Sequence, residues 1–182
     1  MASAPAAPLR QPTIPAVVAP TKLRLPDLLW ATDRSADAVL NGRCDHLLPQ
    51  GGPPADKRWF TRLHGDDEHD VWLISWVPGE STELHDHGGS LGALTLVSGA
   101  LDETRWDGTQ LRHRRLSAGD QAAFPLGWVH DVIWAPDSRR PGPTLSVHAY
   151  SPPLTAMSYY EVTDQNKLRR LWTELTDAPE GQ

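Results

Sequence analysis

Two different periods of apolar and polar residues divide the chain. Between residues 22 and 43 the apolar residues recur at helical spacing, which predicts an α-helix near the N-terminus. The residues that share its predicted apolar face are Leu28, Leu29, Trp30, Ala36, Val39 and Leu40. From residue 59 onward the apolar runs become short or alternate with polar residues, and Gly, Pro, Asp and Ser separate them. Such spacing is typical of the strands and turns of an all-β barrel or sandwich.

The predicted strands lie in separate segments between residues 59 and 153. These segments are 59–65, 69–78, 81–87, 91–106, 108–119, 120–136 and 143–153. Nearer the C-terminus, Leu168, Leu171, Trp172 and Leu175 would fall on one face of a helix. The pattern therefore predicts a short amphipathic helix there.

The composition favours one domain preceded by a tail. Residues 1–21 combine five prolines with many alanines, which predicts a flexible, partly extended segment. Residues 22–182 suit a single domain with a helical N-terminal segment, since a chain of 182 residues is long enough to bury a core. The 17 prolines and eight tryptophans of the chain favour strands over helices.

Charge and cysteine content exclude several kinds of partner. The net charge is −6 and the basic residues are spread along the chain, apart from a small clump at Arg112 to Arg115, so no nucleic acid partner is expected. There is no run of about 18 apolar residues that would cross a membrane, and no secretory signal pattern. The single cysteine, Cys44, rules out a disulfide within the chain and fits a cytoplasmic location. We expect a cytoplasmic protein, and we also expect a monomer.

The segment His85-Asp86-His87 carries the first candidate metal ligands. Residues two apart in a strand share a face, so the imidazoles of His85 and His87 project together and can bind one metal ion. Two such histidines can also be ordinary solvated or core residues, so the pair alone leaves both interpretations open. No role is assigned to the remaining histidines, which are expected to be exposed: His46, His64, His69 and His113.

Glycines and a proline at defined spacings extend this pair into two motifs. Gly79 lies six residues before His85, and Gly99 follows in the same segment. A second segment has these residues in order: Gly119, Pro125, Gly127 and His130. Both segments resemble the two sequence motifs of the cupin superfamily, which supply two histidines and a glutamate, and then a third histidine. The resemblance implies an all-β cupin double-stranded β-helix, or jelly-roll barrel, here with short N-terminal and C-terminal helices.

Two positions depart from the cupin pattern. Gly92 stands where cupins usually have the glutamate ligand, and Trp134 replaces the asparagine that closes the second motif. The resemblance therefore implies a metal site of His85, His87 and His130 without a carboxylate. Three neutral imidazoles leave open positions on the ion and suit either a tetrahedral zinc that activates water or an octahedral ferrous ion that accepts substrate and oxygen.

A third segment, Ser146 to Pro153, contains a possible polar relay. Ser146, His148 and Tyr150 alternate along the predicted strand, so their side chains share a face and can orient one another. An ordinary strand with polar residues at a wet barrel mouth has the same pattern. Together with the three histidines, however, residues 59–160 resemble the cysteine dioxygenase family. Its members are small cupins with a three-histidine ferrous site, a Ser-His-Tyr relay and no glutamate in the first motif.

The same resemblance implies contacts with the substrate. Arg62 matches the arginine that holds the substrate carboxylate, where relatives that oxidise 3-mercaptopropionate carry glutamine; taken alone, such an arginine also suits a surface salt bridge. Phe60 falls where many members have a tyrosine and lacks that hydroxyl. In mammalian members a cysteine at the position of Gly92 is bonded through sulfur to the relay tyrosine. We therefore predict an uncrosslinked Tyr150, as in many bacterial members, and open space beside the metal at Gly92.

The resemblance implies an enzyme of cysteine catabolism that oxidises L-cysteine to cysteine sulfinic acid with both atoms of dioxygen. The implied roles are catalytic for Tyr150, His148 and Ser146, substrate-binding for Arg62 and Tyr150, and Fe(2+)-binding for His85, His87 and His130. The expected partners are a small-molecule thiol and dioxygen. Three alternatives stay open: a dioxygenase of another small thiol such as 3-mercaptopropionate or cysteamine, a non-catalytic metal-binding cupin, and a three-histidine zinc hydrolase.

Overall fold

The computed structural model describes residues 22–137 and 142–179, so the predicted tail at residues 1–21 lies outside the described residues. The elements in chain order are α1 (Leu25–Leu40), a 3₁₀ turn (Asp45–Leu47), β1 (Trp59–Gly65), β2 (Asp70–Trp76), β3 (His85–Asp86), β4 (Leu91–Ser98), β5 (Ala100–Trp106), β6 (Leu111–Ser117), β7 (Gln121–Phe124), β8 (His130–Ala135), β9 (Thr144–Ser151), β10 (Ala156–Val162) and β11 (Leu168–Leu175).

The strands form two antiparallel sheets that enclose the larger core. The order in the five-stranded sheet is β1-β2-β9-β4-β7, and the order in the six-stranded sheet is β11-β10-β3-β8-β5-β6. Trp72 and Leu94 from the first sheet share one core cluster with Leu101 and Met157 from the second. This architecture is the cupin double-stranded β-helix, and it confirms the predicted all-β barrel.

Helix α1 covers the outer face of the five-stranded sheet. Leu28 and Ala36 are buried in a second cluster with Val71, Leu73 and Val147, which face away from the barrel interior. Strand β2 is consequently buried on both faces along all seven of its residues. Burial on both faces explains why its sequence is a nearly continuous apolar run instead of an alternating one.

The buried face of α1 is narrower than the sequence predicts. Its buried residues are Leu28, Thr32 and Ala36, and the hydroxyl of Thr95 donates to Thr32 Oγ1 at 2.8 Å. Trp30 lies about 200° around the helix from Leu28, and it is 61% exposed. Leu40, the last helical residue, is also exposed, so the prediction for both apolar residues was wrong. Within the described residues, no helix combines the length and the apolar character needed to cross a membrane.

The C-terminal segment is a strand, which corrects the predicted amphipathic helix. β11 pairs with β10 along its length, and Trp172 stacks on Tyr159 with ring centroids 4.9 Å apart. A helix of eight residues is marginal by itself, because helix nucleation is costly. The edge of β10 instead offers backbone hydrogen-bond partners to the same residues.

Strand β10 is absent from the predicted strands, yet it holds the segment that carries the first two histidines. On one side of β3, Ser158 pairs with Asp86 and Tyr159 pairs with His85. On the other side, His85 pairs with His130 of β8. The two residues of β3 are thus held between a C-terminal strand and the strand that begins with the third histidine.

Candidate metal centre

Three histidines meet in the barrel interior. His85, His87 and His130 are 0%, 3% and 0% exposed. One ring nitrogen from each lies within 4.8 Å of the others. The ring centroids are 5.1 Å apart for His85 and His87, and 4.9 Å apart for His85 and His130. The structure therefore brings together the three residues that the sequence resemblance assigns to the metal.

Hydrogen bonds that Nδ1 donates set the tautomers of two of these rings. His85 Nδ1 donates to the Glu83 carbonyl at 2.9 Å, and His130 Nδ1 donates to Glu103 Oε1 at 3.0 Å. A carbonyl or carboxylate only accepts, so each Nδ1 carries the proton and each Nε2 keeps its lone pair. Neutral imidazoles with Nδ1 held in this way are the usual ligands of zinc, iron, copper and nickel. The donor set therefore fits a transition-metal ion.

Glu103 is a buried partner of the three-histidine cluster that the sequence analysis missed. Its carboxylate is fully buried, and it accepts hydrogen bonds from His130 and from Arg114 Nε. Burial raises the pKa of Glu103, but the hydrogen bond from His130 and the charge and hydrogen bond of Arg114 outweigh it and lower the pKa to about 2. Alternation along β5 could have revealed this residue, because Glu103 shares a face with the buried Leu101.

The Ser-His-Tyr relay is formed on β9. Ser146, His148 and Tyr150 are all fully buried. His148 Nε2 is 2.9 Å from Ser146 Oγ, and His148 Nδ1 is 3.2 Å from the Tyr150 hydroxyl. Trp76 Nε1, which can only donate, donates to Ser146 Oγ at 2.8 Å. The sequence analysis did not identify Trp76, since a tryptophan in an apolar strand carries no separate signal.

Trp76 extends the relay at Ser146. Ser146 Oγ accepts from Trp76 and still has a hydrogen and a second lone pair, so it can bond to His148 Nε2 in either tautomer of the imidazole. In the tautomer with the proton on Nδ1, His148 donates to the Tyr150 oxygen. The Tyr150 ring lies 4.9 Å from the His87 ring, so this phenol belongs to the same buried site as the three histidines.

Gly92 lies beside the relay tyrosine, but the space there is filled. It pairs with Tyr150 on one side and with Phe124 on the other. A Cβ at position 92 would be 2.9 Å from Phe124 Cδ2 and 3.4 Å from Tyr150 Cδ1. The Phe124 ring also lies 4.3 Å from the His130 ring. The open space predicted at Gly92 is therefore occupied by an aromatic side chain that packs against His130 of the three-histidine cluster.

Gly92→Cys is expected to destabilise the protein by about 1–3 kcal/mol and to form no thioether with Tyr150, because its Cβ would collide with Phe124. Urea unfolding measures the first effect, and intact mass after incubation with iron, L-cysteine and oxygen measures the second. Gly89→Cys is the matched control, since nothing lies within 4 Å of a Cβ at that position. A loss of two hydrogens mapped to Tyr150 in the Gly92 variant would show that Phe124 gives way. Such a loss in the wild-type protein would refute the prediction of an uncrosslinked tyrosine.

Phe60 packs against the barrel core, whereas Arg62, two residues later on β1, is exposed. The Arg62 guanidinium sits 4.6 Å from the centroid of the Trp72 ring, and its Nη2 donates to the Asp177 carbonyl at 3.4 Å. Phe60 packs edge-on against the same Trp72 ring. Arg62 pairs with Trp72, and Trp72 pairs with His148, so the arginine backbone lies about 10 Å from that of the relay histidine. The contacts found for Arg62 are with these neighbours and not with the three histidines.

Asp70 is a second buried acid that the sequence analysis missed. It is 1% exposed and pairs directly with Tyr150 across β2 and β9. Burial raises the pKa of Asp70, while Trp72 and the charge of Arg62 act in the opposite direction. Its carboxyl group therefore interacts electrostatically with Arg62.

Comparison with known proteins finds a family model that matches this chain and solved structures that are similar to it. The family model described as "Cysteine dioxygenase type I" matches residues 54–163, which is more than half of the chain. An uncharacterised protein with a double-stranded β-helix domain from Klebsiella pneumoniae is 18% identical, over 69% of this chain and 91% of that one, with a TM-score of 0.46. KdgF from Halomonas sp. is 20% identical, over 55% and 82%, with a TM-score of 0.44. A recombinant oxalate oxidase in complex with glycolate is 14% identical, over 59% and 58%, with a TM-score of 0.49.

Proposed function

Because the chain belongs to the cysteine dioxygenase type I family, we propose that it is an iron-dependent thiol dioxygenase that oxidises L-cysteine to cysteine sulfinic acid. One observation carries this proposal beyond family membership: the buried relay phenol of Tyr150 packs 4.9 Å from His87 of the three-histidine cluster. A site that only bound metal would not need a buried phenol oriented by hydrogen bonds. The reaction balances with dioxygen alone, because the thiol sulfur loses the electrons that both incorporated oxygen atoms gain.

His85, His87 and His130 would hold the ferrous ion through their Nε2 atoms. When bound, this ion would supply the redox chemistry that activates dioxygen towards the thiol. The protein contributes the fixed orientation of the ligands: the Glu83 carbonyl aligns His85, and Glu103 aligns His130.

Arg62 would bind the substrate carboxylate. Its guanidinium has five N–H donors, and the contact with the Asp177 carbonyl uses only one nitrogen. The planar guanidinium of arginine binds a carboxylate with two parallel hydrogen bonds, which the ammonium group of lysine cannot do. Stacking on Trp72 restricts the arginine, so part of the entropy of ordering its side chain is lost before the substrate binds.

Tyr150 would hydrogen-bond to the reacting oxygen or to the substrate carboxylate. The chain from Trp76 through Ser146 and His148 holds the phenol in a fixed position for this contact. Because all members of the relay are buried, water does not compete for these hydrogen bonds, which strengthens them.

Oxygen consumption by the iron-loaded protein tests the function. L-cysteine, 3-mercaptopropionate and cysteamine are compared at equal concentrations, and the product from ¹⁸O₂ is analysed by mass spectrometry. We expect the highest kcat/KM for L-cysteine and a sulfinate in which both oxygen atoms carry the label. The zinc-loaded protein is the control and should consume no oxygen. A preference for another thiol would change the substrate, and the absence of thiol-dependent oxygen uptake would refute the dioxygenase proposal.

A further inference from the structure

A second group of histidines lies at the turn between β1 and β2, outside the barrel interior. His64 is on β1, Asp66 is in the turn, and His69 immediately precedes β2. One ligand atom from each lies within 4.8 Å of the others, and we call these three residues the hairpin cluster. Its residues are more exposed than the barrel histidines, and nothing in the proposed reaction uses them.

The carboxylate of the hairpin cluster is held in a fixed orientation. Asp66 Oδ1 accepts hydrogen bonds from the backbone amides of Glu68 and His69, both at 2.8 Å. The backbone amide of Asp66 also donates to the His69 carbonyl at 3.0 Å. These bonds aim the remaining oxygen, Oδ2, at His64, whose Nε2 lies 2.9 Å away.

The spacing of the donor atoms matches a coordination sphere. With bonds of about 2.0–2.2 Å, neighbouring donors around a tetrahedral or octahedral ion lie about 2.9–3.5 Å apart. His64 Nε2 and Asp66 Oδ2 are 2.9 Å apart, and His69 Nδ1 and Asp66 Oδ1 are 3.2 Å apart. The two imidazole rings face each other with centroids 4.7 Å apart. A small movement of the rings therefore completes a three-donor site.

His69 supplies an independent reason to look for a ligand. Its Nδ1 is shielded from solvent and makes no hydrogen bond, although it lies 3.2 Å from Asp66 Oδ1 and the ring itself is half-buried. A shielded ring nitrogen without a hydrogen bond is costly, and a bound cation would satisfy it. All members of the cluster also line a cavity of about 1010 Å³ between α1 and the hairpin, so an ion and its water ligands can reach them.

We propose that the hairpin cluster is a second metal site, which binds a divalent transition-metal ion such as zinc through His64, Asp66 and His69. Two imidazoles and one carboxylate suit a borderline cation, whereas calcium and magnesium prefer oxygen ligands only. Three protein donors leave at least one position for water or a small ligand from the cavity. The bound ion joins the end of β1 to the start of β2 and thereby stabilises the hairpin that carries Arg62.

Zinc binding to the full chain tests this site. By equilibrium dialysis and metal analysis we expect about two zinc ions per wild-type chain, one in the barrel and one at the hairpin cluster. His64→Ala/His69→Ala should bind one fewer ion, and His85→Ala should lose the other. His113→Ala is the matched control, because His113 is an exposed histidine that contacts Thr104 on another hairpin. Equal zinc content in the wild type and the His64/His69 variant would overturn the proposal, and so would one ion per wild-type chain that is lost in His85→Ala.

A conservative variant separates metal binding from turn structure. Asp66→Asn keeps an oxygen for the backbone amides of the turn but loses the anionic ligand, so zinc affinity should fall at least about tenfold while circular dichroism stays unchanged. Zinc should raise the Tm of His85→Ala, which keeps the hairpin cluster, but not that of His64→Ala/His69→Ala/His85→Ala, which has lost both sites. Unchanged affinity in Asp66→Asn, or equal Tm shifts in the two histidine variants, would contradict the site. These measurements need no thiol turnover, so failure of the second site and failure of the proposed activity are distinguishable.

Discussion

His130→Ala loses its iron and its thiol-dependent oxygen consumption together: this is the largest effect that we expect from a single substitution. His130 is fully buried, pairs with His85 and is one of the three proposed ligands, so two imidazoles would remain. Removing a residue that hydrogen-bonds to a metal ligand costs about 10–100-fold in metal affinity or activity. Removing the ligand itself should therefore cost more than about a hundredfold. Iron content by metal analysis and oxygen uptake with L-cysteine measure the two effects.

Glu103→Gln is the comparison variant for this experiment. Glutamine can still accept a hydrogen bond from His130 Nδ1 but lacks the negative charge, so iron affinity should fall about 10–100-fold while activity returns at saturating iron. Circular dichroism is needed for both variants, because His130→Ala leaves a buried carboxylate without one of its hydrogen-bond donors. A folded His130→Ala protein with normal activity would refute the metal assignment.

Arg62→Gln should lower kcat/KM for L-cysteine by about 10–100-fold, since a charge-assisted hydrogen bond contributes about 1.5–3 kcal/mol. The loss for 3-mercaptopropionate should be smaller, because relatives that oxidise this thiol carry glutamine at this position. Steady-state oxygen uptake with both thiols measures the difference. Equal losses would argue against Arg62 as the residue that selects L-cysteine.

Two further variants control for indirect effects of removing Arg62. Arg34→Gln removes an arginine that also lies 4.6 Å over a tryptophan ring, but on the exposed side of α1, and it should leave kcat/KM unchanged. Arg62→Lys keeps the positive charge near Asp70 and loses the planar fork. If Arg62→Lys retains full activity, charge alone is sufficient; if it behaves like Arg62→Gln, the bidentate geometry is required.

The fold was largely predictable because alternation and turn residues mark most strands. β1 begins and ends where the pattern predicts, at residues 59 and 65. The prediction of a C-terminal helix was wrong because the apolar residues Leu168, Leu171 and Trp172 recur at a spacing that fits a helix as well as a strand. Only the tertiary structure, in which β10 presents an edge beside them, decides between the two. The prediction that Trp30 lies on the buried face of α1 was wrong for a related reason, since the position of the sheet determines which face of the helix is buried.

The residues of the candidate site could be predicted where they lie two positions apart in the sequence. His85 and His87, and the relay on β9, lie on consecutive alternate positions, so one strand face defines each group. Glu103 and Trp76 come from other strands and act through residues 27 and 70 positions away, so no local pattern links them to their partners. The filling of the space at Gly92 by Phe124 likewise depends on how β4 and β7 pair.

The position of β3 between β8 and β10 determines when the metal centre can be assembled during synthesis. His85 finds its first strand partner 45 residues later, at His130, and its second 74 residues later, at Tyr159. Pairings between residues so distant in the chain form late, because the entropy of closing long loops opposes them. On the ribosome, the strand that carries His85 would therefore wait unpaired on one side until Tyr159 has left the exit tunnel. Metal loading would then be a step that follows translation of almost the whole barrel and does not guide its early folding.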